Sequence, residues 1–218
     1  MSAQPRRLQP LAGVLAVALW ATGLVIYIGF TSQPSDHASD AAILAWAQQH
    51  TTAIIVGAWL FMIGCLCLVW FAGILRERLA SAEDAGTFAS IAFGGAVAAA
   101  VFGIGMPAGD LVIAIDKNEV DATTAGALHH LTDLFFIGAE LSEALFLAAV
   151  VAAVWRSAVL PRWWAILTVL LAVVLLVGPI GWAGLLFGTP VWVLGTSAFL
   201  LRRPAVRRAA TIEPAEAY

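Results

Sequence analysis

The sequence predicts an all-α integral membrane protein, a bundle of six transmembrane helices with both termini in the cytoplasm. Of its 218 residues, 61% are hydrophobic and only 11% are charged, whereas about a quarter of the residues of a soluble domain are charged. Uncharged runs of bilayer-spanning length recur along the chain, and a helix needs about 20 such residues to cross the hydrocarbon core. The arginines cluster at those ends of the uncharged runs that lie on one side of the membrane when six spans are counted.

These runs define a single transmembrane domain over residues 1–218, without a separate soluble domain. The first run follows two arginines, but its apolar stretch is too long for a signal peptide, so we interpret it as an uncleaved span. The third is interrupted at Met106-Pro107. The predicted spans are about 8–30, 51–75, 86–115, 124–155, 163–179 and 182–201, and residues 203–218 are predicted to be a disordered cytoplasmic tail.

The last two spans come from one uncharged stretch, 163–201. As a single helix it would reach about 58 Å, nearly twice the hydrocarbon thickness of about 30 Å. It must therefore fold back, and the segment 178–181 (GPIG) is the predicted turn, because Pro lacks a helical donor and Gly tolerates the bend.

Charge distribution favours the count of six. Six spans place every arginine on one side, whereas five would place the four arginines after residue 201 on the other. Lys117, the only lysine, lies in an acidic loop on the opposite side. Positive charge is retained in the cytoplasm, so the arginine side is predicted to be cytoplasmic. The excess of arginine over lysine indicates a bacterial protein of the cytoplasmic (inner) membrane, and no basic face suited to nucleic acid is present.

The fourth span contains the candidate pocket. With about 100° per residue, His129, Asp133, Glu140 and Glu143 share one helical stripe, about 80° wide. Intramembrane carboxyls are costly and face a bundle interior or a cavity. Together with Asp110 of the third span, the three acids Asp133, Glu140 and Glu143 are therefore the candidates for an ion or ligand pocket. The alternative is that they hydrogen-bond neighbouring helices and fix the packing.

A second hypothesis concerns histidine. His50 begins the second span, and His129 and His130 lie near the same end of the fourth. With nearby carboxylates they suit zinc or copper, and two of them suit haem. Their spacing matches no specific metal motif, so we expect no cofactor.

Small residues recur in the third span, at 94–95, 98–99, 103 and 105. This pattern favours close helix packing within the bundle or between protomers. Walker A, zinc-protease, nucleophile-elbow and Rossmann motifs are absent from the sequence. The sequence therefore favours a non-enzymatic protein and leaves an enzymatic one open.

Four stretches resemble a group of uncharacterised bacterial multi-pass membrane proteins of about this length, largely actinobacterial and assigned to a domain of unknown function. They are residues 7–15 (RLQPLAGVL), 39–50 (SDAAILAWAQQH), 120–129 (VDATTAGALH) and 160–164 (LPRWW). The resemblance implies the multi-pass fold but no agreed activity. Glu140 and Glu143 fall outside the recurrent pattern of that group.

Three functions are compatible with these features. The first is a non-enzymatic scaffold, accessory subunit or binding partner, in contact with the lipid bilayer and with another membrane protein or a second copy of the chain. The second is a small proton- or cation-coupled transporter that uses the intramembrane carboxylates. The third is a metal- or haem-binding membrane protein.

Overall fold

The computed structural model describes residues 8–35, 37–81, 85–157 and 159–202, and throughout this part of the chain the regular structure is helical. Arg6, Arg7 and the predicted tail at 203–218 lie outside the described residues. In chain order the helices are α1 (Leu11–Leu24, continued by the π-helical turn Val25–Gly29), α2 (Asp40–Gln49), α3 (Thr51–Leu79), α4 (Gly86–Gly105), α5 (Ala108–Ile115), α6 (Ala122–Ser157), α7 (Arg162–Leu176), α8 (Gly178–Ala183, continued by the π-helical turn Gly184–Gly188) and α9 (Thr189–Arg202).

Within the described ranges, five helical stretches are long and apolar enough to cross a membrane. They are Leu11–Gly29, Thr51–Leu79, Gly86–Ile115, Ala122–Ser157 and Gly178–Arg202. The helix α7 is apolar but has only 15 residues, equivalent to about 22 Å. The predicted fifth span, 163–179, is therefore shorter in the structure than the sequence suggests.

The fold-back after α7 falls at Val177, whose φ of −96° and ψ of 90° leave the helical region. The predicted turn, 178–181, is instead the first part of α8, with Pro179 in its first turn. A proline is tolerated there because first-turn N–H groups have no helical acceptor. The prediction of a break was sound, but its position was wrong by one to four residues.

Two helices begin at side-chain caps. Ser39 Oγ accepts a hydrogen bond from Ala42 N at 3.3 Å and starts α2. Asp121 precedes α6 and accepts hydrogen bonds from Thr124 N at 2.9 Å and Thr124 Oγ1 at 3.1 Å. The backbone hydrogen bond and then the hydroxyl stabilise the charged carboxylate and lower the pKa of Asp121.

The long helices enclose a common interior. Along the bundle, α1 packs on α3, α3 on α4, α4 on α6, α6 on α7, and α9 returns to α1. Buried hydrogen bonds join α7 to α9: Trp164 Nε1 donates to Thr196 Oγ1 at 3.0 Å, and Trp192 Nε1 donates to Thr168 Oγ1 at 2.8 Å. The short helices α2 and α5 pack on α6 at the end of the bundle that includes Lys117.

Glycines allow the closest helix approaches. A Cβ atom on Gly64 of α3 would lie 2.6 Å from Trp20 N of α1, and one on Gly95 of α4 would lie 2.8 Å from Phe146 N of α6. Gly94, the neighbouring residue, meets nothing within 4 Å. The small residues of the third span thus serve packing inside the bundle at Gly95.

The outer surface is apolar. Large side chains on α3 and α6 are more than half exposed: Trp59, Trp70, Leu134, Leu141 and Leu145. In water such a surface would favour aggregation, whereas in a bilayer it faces lipid. The fold is therefore that of a membrane protein.

Candidate functional site

Two cavities lie inside the bundle and follow one face of α6. The large cavity has a volume of about 570 Å³, and the small cavity has a volume of about 60 Å³. Thr132, Asp133 and Phe136 line the large cavity, and on the next turns of the helix Ala139, Glu143 and Phe146 line the small one. Successive turns of a single helix therefore reach from one cavity to the other.

The large cavity combines polar and apolar walls. Its polar lining consists of Tyr27, Gln33, Ser35, His129, His130, Thr132 and Asp133. Aromatic rings of Phe61 and Phe136 and several aliphatic side chains complete the wall. Because His130 and Asp133 are exposed, they mark its open side, and no lysine or arginine of the described chain lines it.

Asp110 is the centre of a polar cluster beside this cavity. Its side chain is fully buried, the hydroxyl of Tyr27 donates a hydrogen bond to Oδ2, and His129 Nδ1 lies 2.7 Å from Oδ1. Both carboxyl oxygens are therefore occupied by protein groups. The cluster joins the π turn after α1 to α5 and α6. Asp110 thus positions Tyr27 and His129, and it lines neither cavity.

His50 lies close to this cluster through a tryptophan. Its Nδ1 is 2.9 Å from Trp46 O, and the Trp46 ring packs against the rings of His50 and His129, with centroid separations of 6.2 and 5.8 Å. The ring of His130 is 6.0 Å from that of His129. Trp46 Nε1 donates to Thr31 O at 2.7 Å, which fixes the indole between the histidines.

These side chains do not form a metal-binding set. Among the described residues, no three His, Cys, Asp or Glu side chains lie close enough together to hold a metal ion. The sequence placed His50, His129 and His130 at one end of the bundle, and the structure does so too, but Trp46 separates His50 from the other two. The zinc and copper hypothesis therefore has no geometric support in the described part of the chain, and the haem hypothesis stays a prediction.

The small cavity contains Glu143. Its side chain is 6% exposed, and Oε1 has no hydrogen-bond partner. Thr189 of α9 lines the same cavity, is 7% exposed and also has an unpaired hydroxyl. The remaining wall is largely apolar and includes Cys65 and Phe146. Unsatisfied buried polar groups are uncommon in folded proteins. Of the four such side-chain oxygens among the described residues, these two line the same cavity.

Glu140 occupies a different place. It is buried, but a Cβ atom on Gly181 would lie 2.5 Å from its Oε1, so its carboxyl packs against α8. Glu140 lines neither cavity. The stripe predicted on α6 therefore divides: His129 and Asp133 face the large cavity, Glu143 faces the small cavity, and Glu140 faces a neighbouring helix.

Phe61 and Met106 line both cavities. They form the partition between the open cavity at Asp133 and the buried carboxyl of Glu143. Phe61 comes from the middle of α3, and Met106 lies between α4 and α5 at the interruption that Pro107 causes. The partition consists of two side chains with no hydrogen bonds, and methionine adapts readily to changes in its surroundings.

Irregular helix segments supply part of the cavity wall. Tyr27 and Ile28 belong to the first π turn, and Leu185 and Leu186 belong to the second. Single π turns within helices occur frequently at functional sites. Sequence reasoning missed Tyr27 and Thr189. Two features of the sequence could have pointed to them. Tyrosine is rare in this chain, and Pro190 interrupts helical hydrogen bonding beside Thr189.

Comparisons with protein-family models, with curated proteins and with solved structures give no match to this chain. The resemblance to the actinobacterial membrane group stays a prediction, and the site is interpreted from its own geometry.

Proposed function

We propose that this chain is a small membrane carrier that takes an amphiphilic cation into the large cavity. The observation that supports it is the composition of that wall: an exposed carboxyl, Asp133, beside aromatic and aliphatic side chains, with no lining lysine or arginine among the described residues. A volume of about 570 Å³ falls in the range of about 300–1,000 Å³ found for small-molecule sites.

Each part of the wall contributes to recognition of such a ligand. Asp133 attracts the positive charge, and the rings of Tyr27, Phe61 and Phe136 provide apolar contact and cation–π attraction. His129 is held by Asp110 and therefore presents a fixed edge of the wall. An anion would meet the carboxyl of Asp133, and no lysine or arginine among the described residues lines the wall, so the cavity favours cations.

The proposal includes a topology. We infer six crossings, with α7 as a short fifth span and the arginine side in the cytoplasm. The apolar composition of α7 and its position between α6 and α8 support a crossing. A bilayer accommodates a short span by thinning locally or because flanking side chains extend to its surface. Asp133 and the large cavity then open away from the cytoplasm, in a bacterial inner membrane.

A matched pair of ions tests ligand binding. Tetraphenylphosphonium and tetraphenylborate have the same shape and opposite charge, and their binding to the purified chain in detergent is measured by isothermal titration calorimetry. We expect the phosphonium to bind saturably and the borate not to bind. Asp133→Asn is expected to weaken phosphonium binding at least tenfold, equivalent to about 1.4 kcal/mol.

Glu119→Gln is the control variant, because Glu119 is exposed and does not line the cavity. Equal binding of the two ions, or unchanged binding in Asp133→Asn, would contradict the proposal. Uptake of the phosphonium by proteoliposomes then tests for transport. A chain that binds neither ion and reproducibly co-purifies with one membrane protein would instead favour the scaffold hypothesis.

A further inference from the structure

The small cavity has unused bonding capacity. Glu143 Oε1 and Thr189 Oγ1 are both buried without a hydrogen-bond partner, on two helices that face the same space of about 60 Å³. This space exceeds the volume that one water-sized particle requires, about 10–15 Å³. Burying polar oxygens without partners costs free energy, so a water molecule or an ion in this space would stabilise the fold.

One backbone carbonyl beside this region lacks the donor that the π register would give it. Thr189 N donates to Gly184 O in the π register. In the same register the donor for the Leu185 carbonyl would be Pro190, which has no N–H. Leu185 and Pro190 both line the small cavity. A carbonyl without its helical donor thus occurs on the segment that also supplies Thr189.

Glu143 has no cationic side chain beside it in the small cavity, among the described residues. No lysine, arginine or histidine among the described residues lines the small cavity. Glu140, the nearest acid along α6, packs against Gly181 and not into this space. A carboxyl buried in this way stays ionised only with a positive partner, since an unpaired buried charge is very costly and a proton otherwise neutralises it.

We propose that the small cavity is a binding site for one sodium-sized monovalent cation, held by the carboxylate of Glu143 and the hydroxyl of Thr189. These are hard oxygen ligands, the type that alkali and alkaline-earth cations prefer over nitrogen and sulfur. A single carboxylate balances a single positive charge. Ion sites built from carboxyl and hydroxyl oxygens beside an irregular helix segment also suit a membrane interior.

The small cavity adjoins the large one at the partition. Phe61 and Met106 line both cavities, so a path from Glu143 to the open side at Asp133 would run past these two side chains. The cation site goes beyond the proposed carrier function and does not depend on it. The ligand cavity is tested at Asp133 and the ion site at Glu143, so either can fail alone.

The experiment is thermal unfolding of the full chain in detergent, in chloride salts of sodium, lithium, potassium and choline at one ionic strength and pH. We expect sodium to raise the melting temperature saturably relative to choline, by about 5–11 °C at a concentration 100-fold above its dissociation constant. Glu143→Gln should abolish the sodium response, and Thr189→Val should reduce it. Glu140→Gln is the matched control and should retain it.

Radioactive sodium binding, measured by scintillation proximity, should give a stoichiometry near one per chain and fall with Glu143→Gln. If Glu143→Gln fails to fold, Thr189→Val and Glu143→Asp are compared instead, with a weakened sodium response expected in both. Equal melting temperatures in all four salts would overturn the proposal. So would a sodium response that persists in Glu143→Gln, or stability that depends on pH alone, which would mean that a proton neutralises Glu143.

Discussion

Alanine substitutions at Gly94 and Gly95 test how closely α4 and α6 pack. Both residues lie in the interior of α4, so each gains the same helix propensity when alanine replaces glycine, about 1 kcal/mol. They differ in their surroundings. A Cβ atom at position 94 meets nothing within 4 Å, whereas one at position 95 would lie 2.8 Å from Phe146 N and 3.0 Å from Phe146 Cα.

The magnitude follows from this geometry. An ordinary Cβ contact begins at 3.4 Å, so the backbone of α6 would have to move by at least 3.4 − 2.8 = 0.6 Å. Backbone atoms cannot rotate away as a flexible side chain can, and overpacking of this kind costs about 1–3 kcal/mol. Van der Waals packing is the main attraction between helices in a bilayer, so the displacement also weakens neighbouring contacts.

We therefore expect Gly94→Ala to leave the protein unchanged or stabilise it by up to about 1 kcal/mol. Gly95→Ala should be less stable than Gly94→Ala by about 1–3 kcal/mol, equivalent to about 2–12 °C in melting temperature for a chain of this size. The assay is unfolding by sodium dodecyl sulfate from dodecylmaltoside micelles, followed by circular dichroism at 222 nm.

Leucine at each position enlarges the contrast. Gly94→Leu should remain folded, because its side chain extends toward the lipid-facing side, where Gly94 is exposed. Gly95→Leu should fail to assemble. If Gly95→Ala proves as stable as Gly94→Ala, the close approach of α4 and α6 is refuted.

Other substitutions test individual polar contacts. Asp110→Ala removes the acceptor of Tyr27 and His129 and should cost about 2–4 kcal/mol in detergent unfolding; Tyr27→Phe loses one of these bonds and should cost less, and equal costs would contradict the cluster. Thr196→Val leaves Trp164 Nε1 without its acceptor and should cost about 0.5–1.5 kcal/mol, with a double-mutant cycle to Trp164→Phe showing a coupling of that size. The pKa of Asp121 is lowered in the folded state by its hydrogen bonds to Thr124, so its stabilising effect is complete above the ordinary Asp pKa of about 3.9 and is lost as the pH falls through the lower folded value. Melting curves of wild type and Asp121→Asn should therefore converge in acid, and a constant difference down to pH 2 would argue against the cap.

Hydropathy predicted most of the helices because it depends on composition alone. The first four predicted spans coincide with long helices to within a few residues, and the interruption at Pro107 falls where the missing N–H requires it. The Ser39 cap is likewise a local feature, since its hydroxyl accepts from the backbone N–H of Ala42, three residues along the chain. At the fold-back the sequence was less informative: Pro179 fits both a turn and a first helical turn, and the structure adopts the second.

The candidate pocket was predicted only in part. Helical periodicity placed Asp133, Glu140 and Glu143 on one stripe. A stripe about 80° wide is broad enough for its side chains to face different parts of the bundle. In the structure Asp133 lines the large cavity, Glu143 lines the small cavity, and Glu140 packs against Gly181. Helices that are distant in sequence decide whether each side chain faces a cavity or another helix. The periodicity of one helix contains no information about the positions of those helices.

The sequence by itself determined that the chain is helical, that it is apolar enough for a membrane, and where its longest helices begin and end. Each of these follows from the cost of placing polar backbone and charge in hydrocarbon, which is a local property. Only the tertiary structure decided that Tyr27 and His129 meet at Asp110, that Phe61 and Met106 separate two cavities, and that Thr189 faces Glu143's cavity. The physical reason is that lipid and protein interior are equally apolar, so hydrophobicity cannot tell an inward face from an outward one, and close packing at residues such as Gly95 makes that choice.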